Sequence, residues 1–189
     1  MGRASEAHAT MKATGLTAFM ARFDAAEYRL CRGLNRGASF ALPRRILRVA
    51  SRLGDGILWY VLLLALPLCY GPPAVHPAGV MALTGALGVL TYALLKRVFV
   101  RERPFITHAG IDRAAQTLDR YSFPSGHTLH AVSFTWQAGA HFPELLWVLL
   151  PLAALIAASR VVLGLHYPSD VLAGAALGAA FAELGLSLG

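Results

Sequence analysis

The chain has 189 residues, of which 56 % are apolar and only 14 % are charged, against about 25 % charged residues in an average soluble domain. Its formal net charge is +7. This composition excludes a disordered chain, a fibrous repeat and most soluble globular folds, because these classes contain more charge or less apolar surface. The length predicts one domain with a short extension, and the composition indicates that lipid is its main solvent.

The basic residues are concentrated in two regions of the chain. Ten of the 17 lysines and arginines lie between residues 1 and 55, and six lie between residues 96 and 126. A nucleic-acid-binding face would interleave such residues with aromatics on a soluble surface, whereas these clusters flank long apolar runs. We therefore expect a membrane protein without a nucleic-acid partner. The first 50 residues contain no apolar segment before a small-residue cleavage site, so we expect no cleaved secretory signal.

Residues 1–53 form a basic region in which apolar residues recur at helical spacing. Basic amphipathic helices lie in the headgroup layer and are attracted to anionic lipid, so we expect the bilayer surface to be a partner of this region. The alternative is a solvated face that only sets the orientation of the chain. The two apolar stripes consist of Leu16, Phe19, Met20, Phe23, Ala26 and Leu30, and of Leu42, Ile46, Val49 and Leu53.

Residues 54–189 are predicted to form a membrane domain. A bilayer span needs about 20 apolar residues, and five apolar segments approach or reach that length. Each must be helical, because backbone exposed to lipid has to satisfy its own hydrogen bonds. We therefore predict an all-α, integral membrane helical bundle of five transmembrane helices in the plasma (inner) membrane, or six if the N-terminal region contributes another span. The five segments are residues 57–70, 77–95, 128–142, 145–165 and 171–188.

Charged and polar residues at the ends of these segments fall into three clusters. The second span ends at the first cluster, and the third span starts at the second cluster. The fourth span returns to the same face at the third cluster, from which the fifth span leaves. All three clusters are therefore predicted to meet on one side of the bilayer. They are Lys96, Arg103 and Pro104; Pro124, Ser125, Gly126 and His127; and Ser159, Arg160, His166 and Asp170.

Together the clusters supply groups that bind a tetrahedral dianion. Lys96, Arg103 and Arg160 are three fixed cations, and guanidinium groups match phosphate oxygens bidentately. Ser125 and Gly126 begin a helix, whose unpaired N–H groups and dipole favour an anion. These residues predict a phosphate site.

Two histidines can carry the reaction at such a site. His166 precedes Asp170 by four residues, so the carboxylate can keep one ring nitrogen protonated and leave the other free to attack phosphorus. His127 can then protonate the leaving oxygen. The carboxylates near the clusters lack the paired spacing of two-metal sites, so we predict no metal and no other cofactor. These carboxylates are Glu102, Asp112, Asp119 and Asp170.

The three clusters resemble the three-part signature of the type 2 phosphatidic acid phosphatase superfamily, which also contains vanadium haloperoxidases and bacterial acid phosphatases. The resemblance covers about residues 50–188. It implies that His166 is a nucleophile that forms a phosphohistidine, that Asp170 orients it, and that His127 is the general acid. Arg97 and Arg101 flank the signature and are interpreted as headgroup anchors or outer substrate contacts. The phosphate-binding residues that the resemblance implies are Lys96, Arg103, Ser125, Gly126 and Arg160.

Resemblance and composition together imply that residues 54–189 are a metal-independent membrane lipid phosphatase domain. Its substrate would be a phosphomonoester or diphosphate whose tail stays in the bilayer: polyprenyl diphosphate, phosphatidic acid or phosphatidylglycerophosphate. Two alternatives stay open, a lipid phosphotransferase that uses the same phosphohistidine and a non-catalytic lipid-binding membrane protein.

Two arguments give opposite answers for the side of the membrane on which the clusters lie. By our count of spans the basic N-terminal region lies on the same side as the clusters, and the positive-inside rule places that side in the cytoplasm. Many members of the resembled superfamily work instead on the outer face of the plasma membrane. Both orientations stay open at this stage.

Overall fold

The computed structural model describes residues 2–117 and 119–188, while the side chains of residues 2–17 and 19 lie outside the description. Over the described residues the chain is helical, and its one extended feature is an isolated antiparallel bridge between Glu102 and Tyr121. The α-helices in this part of the chain are α1 (Gly2–Asn35), α2 (Ala41–Leu53), α3 (Ile57–Tyr70), α4 (Val75–Phe99), α5 (Pro104–Thr107), α6 (Gly126–His141), α7 (Leu146–Val162) and α8 (Pro168–Leu188).

The all-helical prediction is confirmed, and each of the five predicted segments coincides with a helix: α3, α4, α6, α7 and α8. The end of α7 differs from the prediction, because the helix stops at Val162 rather than at residue 165. Gly164 has a φ of +75°, which favours glycine, and a Cβ there would lie 2.7 Å from the carbonyl oxygen of Asp112. The chain turns at this glycine and begins α8 at Pro168, so His166 lies between the two helices.

Length and hydropathy identify three segments of the described chain that can cross a membrane: Pro72–Phe99, Pro143–Val162 and Pro168–Leu188. α2 and α3 pass the same test together, but they are bent by 57° at the break between them, so they count as a fourth span only if they form one unit. The chain is therefore a multi-pass membrane protein. The third predicted span, α6, is a helix of 16 residues that does not meet the test by itself.

α6 is the central helix of the bundle and contacts α4, α7 and α8. α8 approaches it closely at Gly178, where a Cβ would lie 2.5 Å from the carbonyl oxygen of Leu129. Polar side chains of α6 are buried with partners; for example, Gln137 Nε2 donates a hydrogen bond to Thr84 Oγ1 of α4 at 3.1 Å. Because protein rather than lipid surrounds α6, this helix needs less apolar surface than a span that faces lipid.

α1 and α2 lie against the loops that follow α4 and α7. Glu27 and Asn35, which lie on one face of α1, are buried. Asn35 Nδ2 donates to the carbonyl oxygen of Val162 at 2.9 Å, and Arg48 Nε of α2 donates to the carbonyl oxygen of Ala114. The N-terminal helices are therefore folded against the same loops that carry the predicted clusters.

The apolar stripes predicted for the N-terminal region remain largely uncovered. In α2, Leu42, Ile46 and Val49 are 69 %, 46 % and 52 % exposed. Met20, Phe23 and Leu30 of α1 are exposed to a similar extent. Leu16 and Phe19, which the sequence assigns to the α1 stripe, lie outside the described side chains.

Candidate active site

The three predicted clusters meet at one cavity of about 1400 Å³. The cavity lies among α3, α4, α6, the end of α7, the α2–α3 loop and the loop before α6. Ser125 and Asp170 do not line this cavity and are fully buried. The predicted site residues that do line it are Lys96, Arg103, Gly126, His127, Arg160 and His166.

His166 is almost completely buried, at 1 % exposure, and its backbone N–H donates to the carbonyl oxygen of Arg160 at 3.0 Å. Its Nε2 lies 3.1 Å from Nη1 of Arg103. Since a guanidinium group can only donate, Nε2 is the acceptor of this bond, and the ring proton belongs on Nδ1. This tautomer leaves the lone pair on Nε2, the nitrogen that faces the cationic groups.

The environment of His166 keeps the imidazole neutral. Burial, and then the positive charges of Arg160, Arg103 and Lys96, lower the pKa of His166 well below its usual value of 6.5, and His127 acts in the same direction. A neutral imidazole is the form that can act as a nucleophile.

Asp170 faces the protonated nitrogen of His166, with 3.6 Å between Oδ2 and Nδ1. This is longer than a hydrogen bond, and Nδ1 has no partner among the residues described. The carboxylate is itself held in place, because Oδ2 accepts from the backbone N–H of Tyr167 and Oδ1 accepts from Nη1 of Arg101, both at 2.8 Å. Asp170 is therefore fixed beside the histidine ring, and a shift of about half an ångström would close the hydrogen bond.

Arg101 has a different position from the one that the sequence suggested. Instead of pointing to headgroups, it lies between Asp170 and Glu27 of α1 and stacks on the ring of Tyr167 at 4.0 Å. Glu27 also accepts from the backbone N–H of Ser169 at 2.8 Å, at the start of α8. The interpretation as a headgroup anchor is wrong because the loop after α4 folds back over the start of α8.

Two of the predicted phosphate-binding cations share a carboxylate. Asp119 Oδ2 lies 2.8 Å from Nζ of Lys96, and its Oδ1 lies 2.9 Å from Nη2 of Arg103. Burial acts to raise the pKa of Asp119, but the two cations outweigh it and hold the pKa below its usual value. Lys96 and Arg103 are therefore spaced to bind two oxygens of a single anion, and in this structure Asp119 supplies them.

Arg160 is the third cation at the cavity and is only 3 % exposed. Its Nη1 donates to Oγ of Ser51 in α2, while its Nε has no partner among the described residues. A buried donor without an acceptor is costly, so Nε is a group that a ligand oxygen would satisfy.

The start of α6 is organised by Ser125, whose Oγ accepts from the backbone N–H of Thr128 and lies 3.0 Å from its Oγ1. The backbone N–H of Ser125 donates to the carbonyl oxygen of Asp170 at 3.0 Å, which joins α6 to α8. Gly126 faces the ring of Tyr92, and a Cβ there would lie 3.0 Å from that ring. The helix terminus that the sequence predicts is present, and the Ser125 side chain serves as its cap.

The remaining histidines near the site have distinct places. His127 lines the cavity, and its Nε2 lies 2.6 Å from Oδ1 of Asp55, a partner that the sequence reasoning missed. His130 also lines the cavity and hydrogen-bonds to the carbonyl oxygen of Gly85 in α4 at 3.1 Å. His108 packs on Tyr28 and lies outside this cavity. Within the described residues, no three His, Cys, Asp or Glu side chains are grouped so that they could hold a metal ion.

Comparison with known sequences finds one family over most of the chain. The PAP2 superfamily matches residues 74–188. Decaprenylphosphoryl-5-phosphoribose phosphatase of Mycobacterium tuberculosis is 40 % identical over 100 residues, which cover 51 % of this chain and 52 % of that protein. Undecaprenyl-diphosphatase BcrC of Bacillus subtilis is 32 % identical over 90 residues, which cover 48 % of this chain and 46 % of the relative. The chain thus spans about half the length of the curated relatives it matches.

Solved structures share the fold over a longer stretch. LpxE of Aquifex aeolicus has a TM-score of 0.73 and 25 % identity, over 84 % of this chain and 93 % of that chain. The first transmembrane PAP2 type phosphatidylglycerolphosphate phosphatase from Bacillus subtilis has a TM-score of 0.69 and 21 % identity, over 93 % and 94 %. Both structures align with more of this chain than residues 74–188, so the similarity of fold includes part of the N-terminal region.

Proposed function

Because the chain belongs to the PAP2 superfamily, we propose that it is a metal-independent membrane lipid phosphatase that works through a phosphohistidine. The observation that carries this proposal is His166, a buried neutral imidazole whose Nε2 lone pair faces a cavity lined by Lys96, Arg103 and Arg160. Such a nucleophile among fixed cations suits attack on an anionic phosphorus centre better than it suits a structural role.

The reaction would proceed in two displacements at phosphorus. In the first, Nε2 of His166 forms a bond to phosphorus as the bond from phosphorus to the leaving oxygen breaks, and His127 gives that oxygen a proton. In the second, a water oxygen attacks phosphorus, His127 takes a proton from the water, and the P–N bond breaks to release inorganic phosphate. Asp170 would hold the Nδ1 proton of His166 throughout and stabilise the positive charge that develops on the ring.

The charge on the phosphoryl oxygens would be stabilised by the groups already gathered at the cavity. Lys96, Arg103 and the open Nε of Arg160 supply three positive charges. Gly126 and its capping residue Ser125 present the N-terminus of α6, which favours an anion. Asp119 would leave the two cations when phosphate arrives, because two anions cannot share them.

The apolar part of the cavity supports a lipid substrate. Beyond the polar residues its wall follows α3 and α4, so one cavity joins the cationic groups to an apolar surface at the depth of the spans. A phosphate can bind at the polar end while its hydrocarbon tail lies along the helices. One curated relative is named for a decaprenylphosphoryl phosphoribose and another for undecaprenyl diphosphate, and these names favour a polyprenyl-linked phosphate, such as polyprenyl diphosphate, over phosphatidic acid or phosphatidylglycerophosphate. The apolar wall includes Trp59, Leu63, Ala82, Ala86, Val89 and Leu90.

We further propose that α3, α4, α6, α7 and α8 are five spans and that α1 and α2 of the basic region, residues 1–53, lie in the headgroup layer of anionic lipid. The two sides of α2 support this arrangement. Leu47 packs with Ala114 and Leu163 at the active-site loops, while Leu42 and Ile46 face outward. An apolar face that the protein leaves uncovered, next to arginines, suits an interfacial helix better than a solvated one.

The same contacts place the basic region beside the active site, so the positive-inside rule predicts that the catalytic face of residues 54–189 is cytoplasmic in the inner membrane. Cys69 tests this orientation, because it is exposed near the opposite end of α3, whereas Cys31 is buried. We expect a membrane-impermeant maleimide to label Cys69 in intact cells, with Cys69→Ser as the control. Labelling only after the cells are opened would place the active site on the outer face.

The decisive test of function is phosphate release by the purified protein in detergent from polyprenyl diphosphate, phosphatidic acid and phosphatidylglycerophosphate. We expect release that EDTA leaves unchanged and that His166→Ala abolishes, while His141→Ala, at the exposed far end of α6, retains it. Transfer of phosphate to an added alcohol in place of water would identify a phosphotransferase. Binding of these lipids without turnover by the wild-type protein would contradict an enzymatic function.

A further inference from the structure

His127 has a carboxylate partner that lies outside the three signature clusters. Asp55 belongs to the loop between α2 and α3, and its Oδ1 lies 2.6 Å from Nε2 of His127. Both residues line the cavity that contains His166. Asp55 precedes residue 74, where the match to the PAP2 superfamily begins. No step of the proposed reaction yet uses this carboxylate.

The backbone on both sides of Asp55 allows its close approach to His127. A Cβ on Gly54 would lie 2.9 Å from Cγ2 of Ile156 and 3.0 Å from Cδ2 of His127, so this position has no room for a side chain unless both neighbours move. Gly56 has a φ of +125°, a conformation that other residues rarely adopt, and its carbonyl oxygen accepts from the N–H of Trp59 in the first turn of α3. The two glycines bring the loop to the histidine and then turn it directly into the next helix.

A second contact fixes the end of α2 to the same site. Ser51, one turn before Asp55, accepts a hydrogen bond from Nη1 of the buried Arg160. The end of α2 and the loop that follows it therefore reach two side chains of the cavity, Arg160 through Ser51 and His127 through Asp55. The loop that carries Asp55 follows directly on this helix, so the contact between Ser51 and Arg160 helps to hold the half-exposed carboxylate beside His127.

The charges around the cavity indicate what the Asp55 carboxylate can stabilise. A general acid has to carry a proton, but Lys96, Arg103 and Arg160 line the same cavity and disfavour another positive charge there. Among the described residues that line the cavity, two carry carboxylates, Asp55 and Asp119. Asp119 forms ion pairs with Lys96 and Arg103. Asp55 is thus the carboxylate available to stabilise a protonated His127.

We propose that Asp55 is a positioning residue that binds the Nε2–H of His127, so that Nδ1 carries the proton delivered to the leaving oxygen. This inference rests on the proposed phosphatase function. As the P–N bond to His166 forms and the bond from phosphorus to the leaving oxygen breaks, the proton moves from Nδ1 of His127 to that oxygen. In the second displacement a water proton returns to Nδ1 as the P–N bond breaks, and Asp55 stays ionised throughout.

The experiment compares two phosphate monoesters that carry the same alkyl chain, one joined through an aliphatic oxygen and the other through a nitrophenyl oxygen. A nitrophenolate leaves without a proton, whereas an aliphatic alkoxide needs one. We expect Asp55→Asn to lower kcat/KM about 10- to 100-fold on the aliphatic ester and less than about threefold on the nitrophenyl ester. His127→Ala should show the same selectivity with a larger loss, and Asp55→Glu should recover part of the rate on the aliphatic ester. Asp24→Asn, an exposed carboxylate of α1, is the matched control.

The outcomes separate the inference from the function on which it rests. Selective loss on the aliphatic ester in both Asp55→Asn and His127→Ala supports the proposal. Equal losses on the two esters in Asp55→Asn, or no loss on either, would overturn it, and a purely structural defect would give the equal losses. If the wild-type protein hydrolyses neither ester but releases phosphate from a lipid, kcat/KM is compared on lipid phosphates with the same two leaving oxygens. If it releases phosphate from none of them, the phosphatase function itself fails.

Discussion

The two parts of the chain contribute to the site in different ways. Residues 74–188, which match the PAP2 superfamily, supply the proposed nucleophile, the cations of the cavity and the helix terminus. Residues before 74 supply partners of these groups: Glu27 for Arg101, Ser51 for Arg160 and Asp55 for His127. His166 and its partner Asp170 lie four residues apart within the signature, whereas Glu27, Ser51 and Asp55 reach their groups from distant parts of the sequence. The motif therefore reveals the predicted reacting groups, but it does not reveal these three partners.

The largest expected effect comes from the matched region. His166→Ala removes the proposed nucleophile, so we expect kcat to fall by at least about three orders of magnitude. Steady-state phosphate release, with His141→Ala as the control, measures this loss. A variant without His166 that turns over at nearly the wild-type rate would show that another group attacks phosphorus.

A second prediction tests the contribution of the N-terminal region through Arg101, which forms an ion pair with Glu27 of α1. Arg101→Gln leaves Asp170 buried without its cation, so we expect kcat to fall about 10- to 100-fold and the thermal midpoint to drop. Glu27→Gln should cost less, because an amide oxygen can still accept from the N–H of Ser169. If α1 acts through Arg101, the double variant should lose less than the sum of the single losses.

If the losses in kcat of the two single variants simply add in the double variant, Glu27 and Arg101 act independently. The N-terminal helix α1 would then not contribute to the site through Arg101. Measurement of kcat on the folded fraction, checked by the thermal midpoint of each variant, separates a positioning effect from unfolding.

A smaller effect is expected at Asp119, where the matched region carries its own carboxylate. Orthovanadate can adopt the five-coordinate geometry that a phosphoryl group has in the transition state of displacement, so we expect it to inhibit the wild-type protein. Asp119→Asn removes an anion that competes for Lys96 and Arg103, and the inhibitory concentration should fall about fivefold, equal to ~1 kcal/mol. Weaker inhibition in the variant would mean that Asp119 holds the cations in place, and full wild-type activity in millimolar vanadate would contradict the phosphate site.

The smallest change is expected for His166 on mild acidification. Its lowered pKa means that the folded protein does not bind a proton there as the pH falls through 6.5, whereas the unfolded chain does. The Cε1–H NMR signal of His166, assigned by its absence in His166→Gln, should stay in its neutral position through pH 6.5. The stability linked to this group is fully present above the unfolded pKa and is lost as the pH falls toward the folded pKa. A midpoint at or above 6.5 would contradict a buried neutral nucleophile.

Several features of this protein are set by local sequence and were predictable from it. Apolar runs near 20 residues require helices in lipid, so the positions of α4, α7 and α8 follow from composition. The ends of the predicted spans carry Lys96, His127 and His166, so the sequence predicted that the three residues meet, and they line one cavity in the structure. The chemistry of phosphate binding follows from the residue types.

Tertiary packing decided what the sequence left open. α7 ends early because the chain turns at Gly164, whose positive φ and close contact with a neighbouring carbonyl favour glycine, and α6 is stable despite its polarity because other helices enclose it. The tautomer of His166 depends on an arginine 63 residues away, and the partner of His127 comes from 72 residues away. Contacts at such separations depend on how helices pack, and no local pattern of apolar and charged residues encodes them.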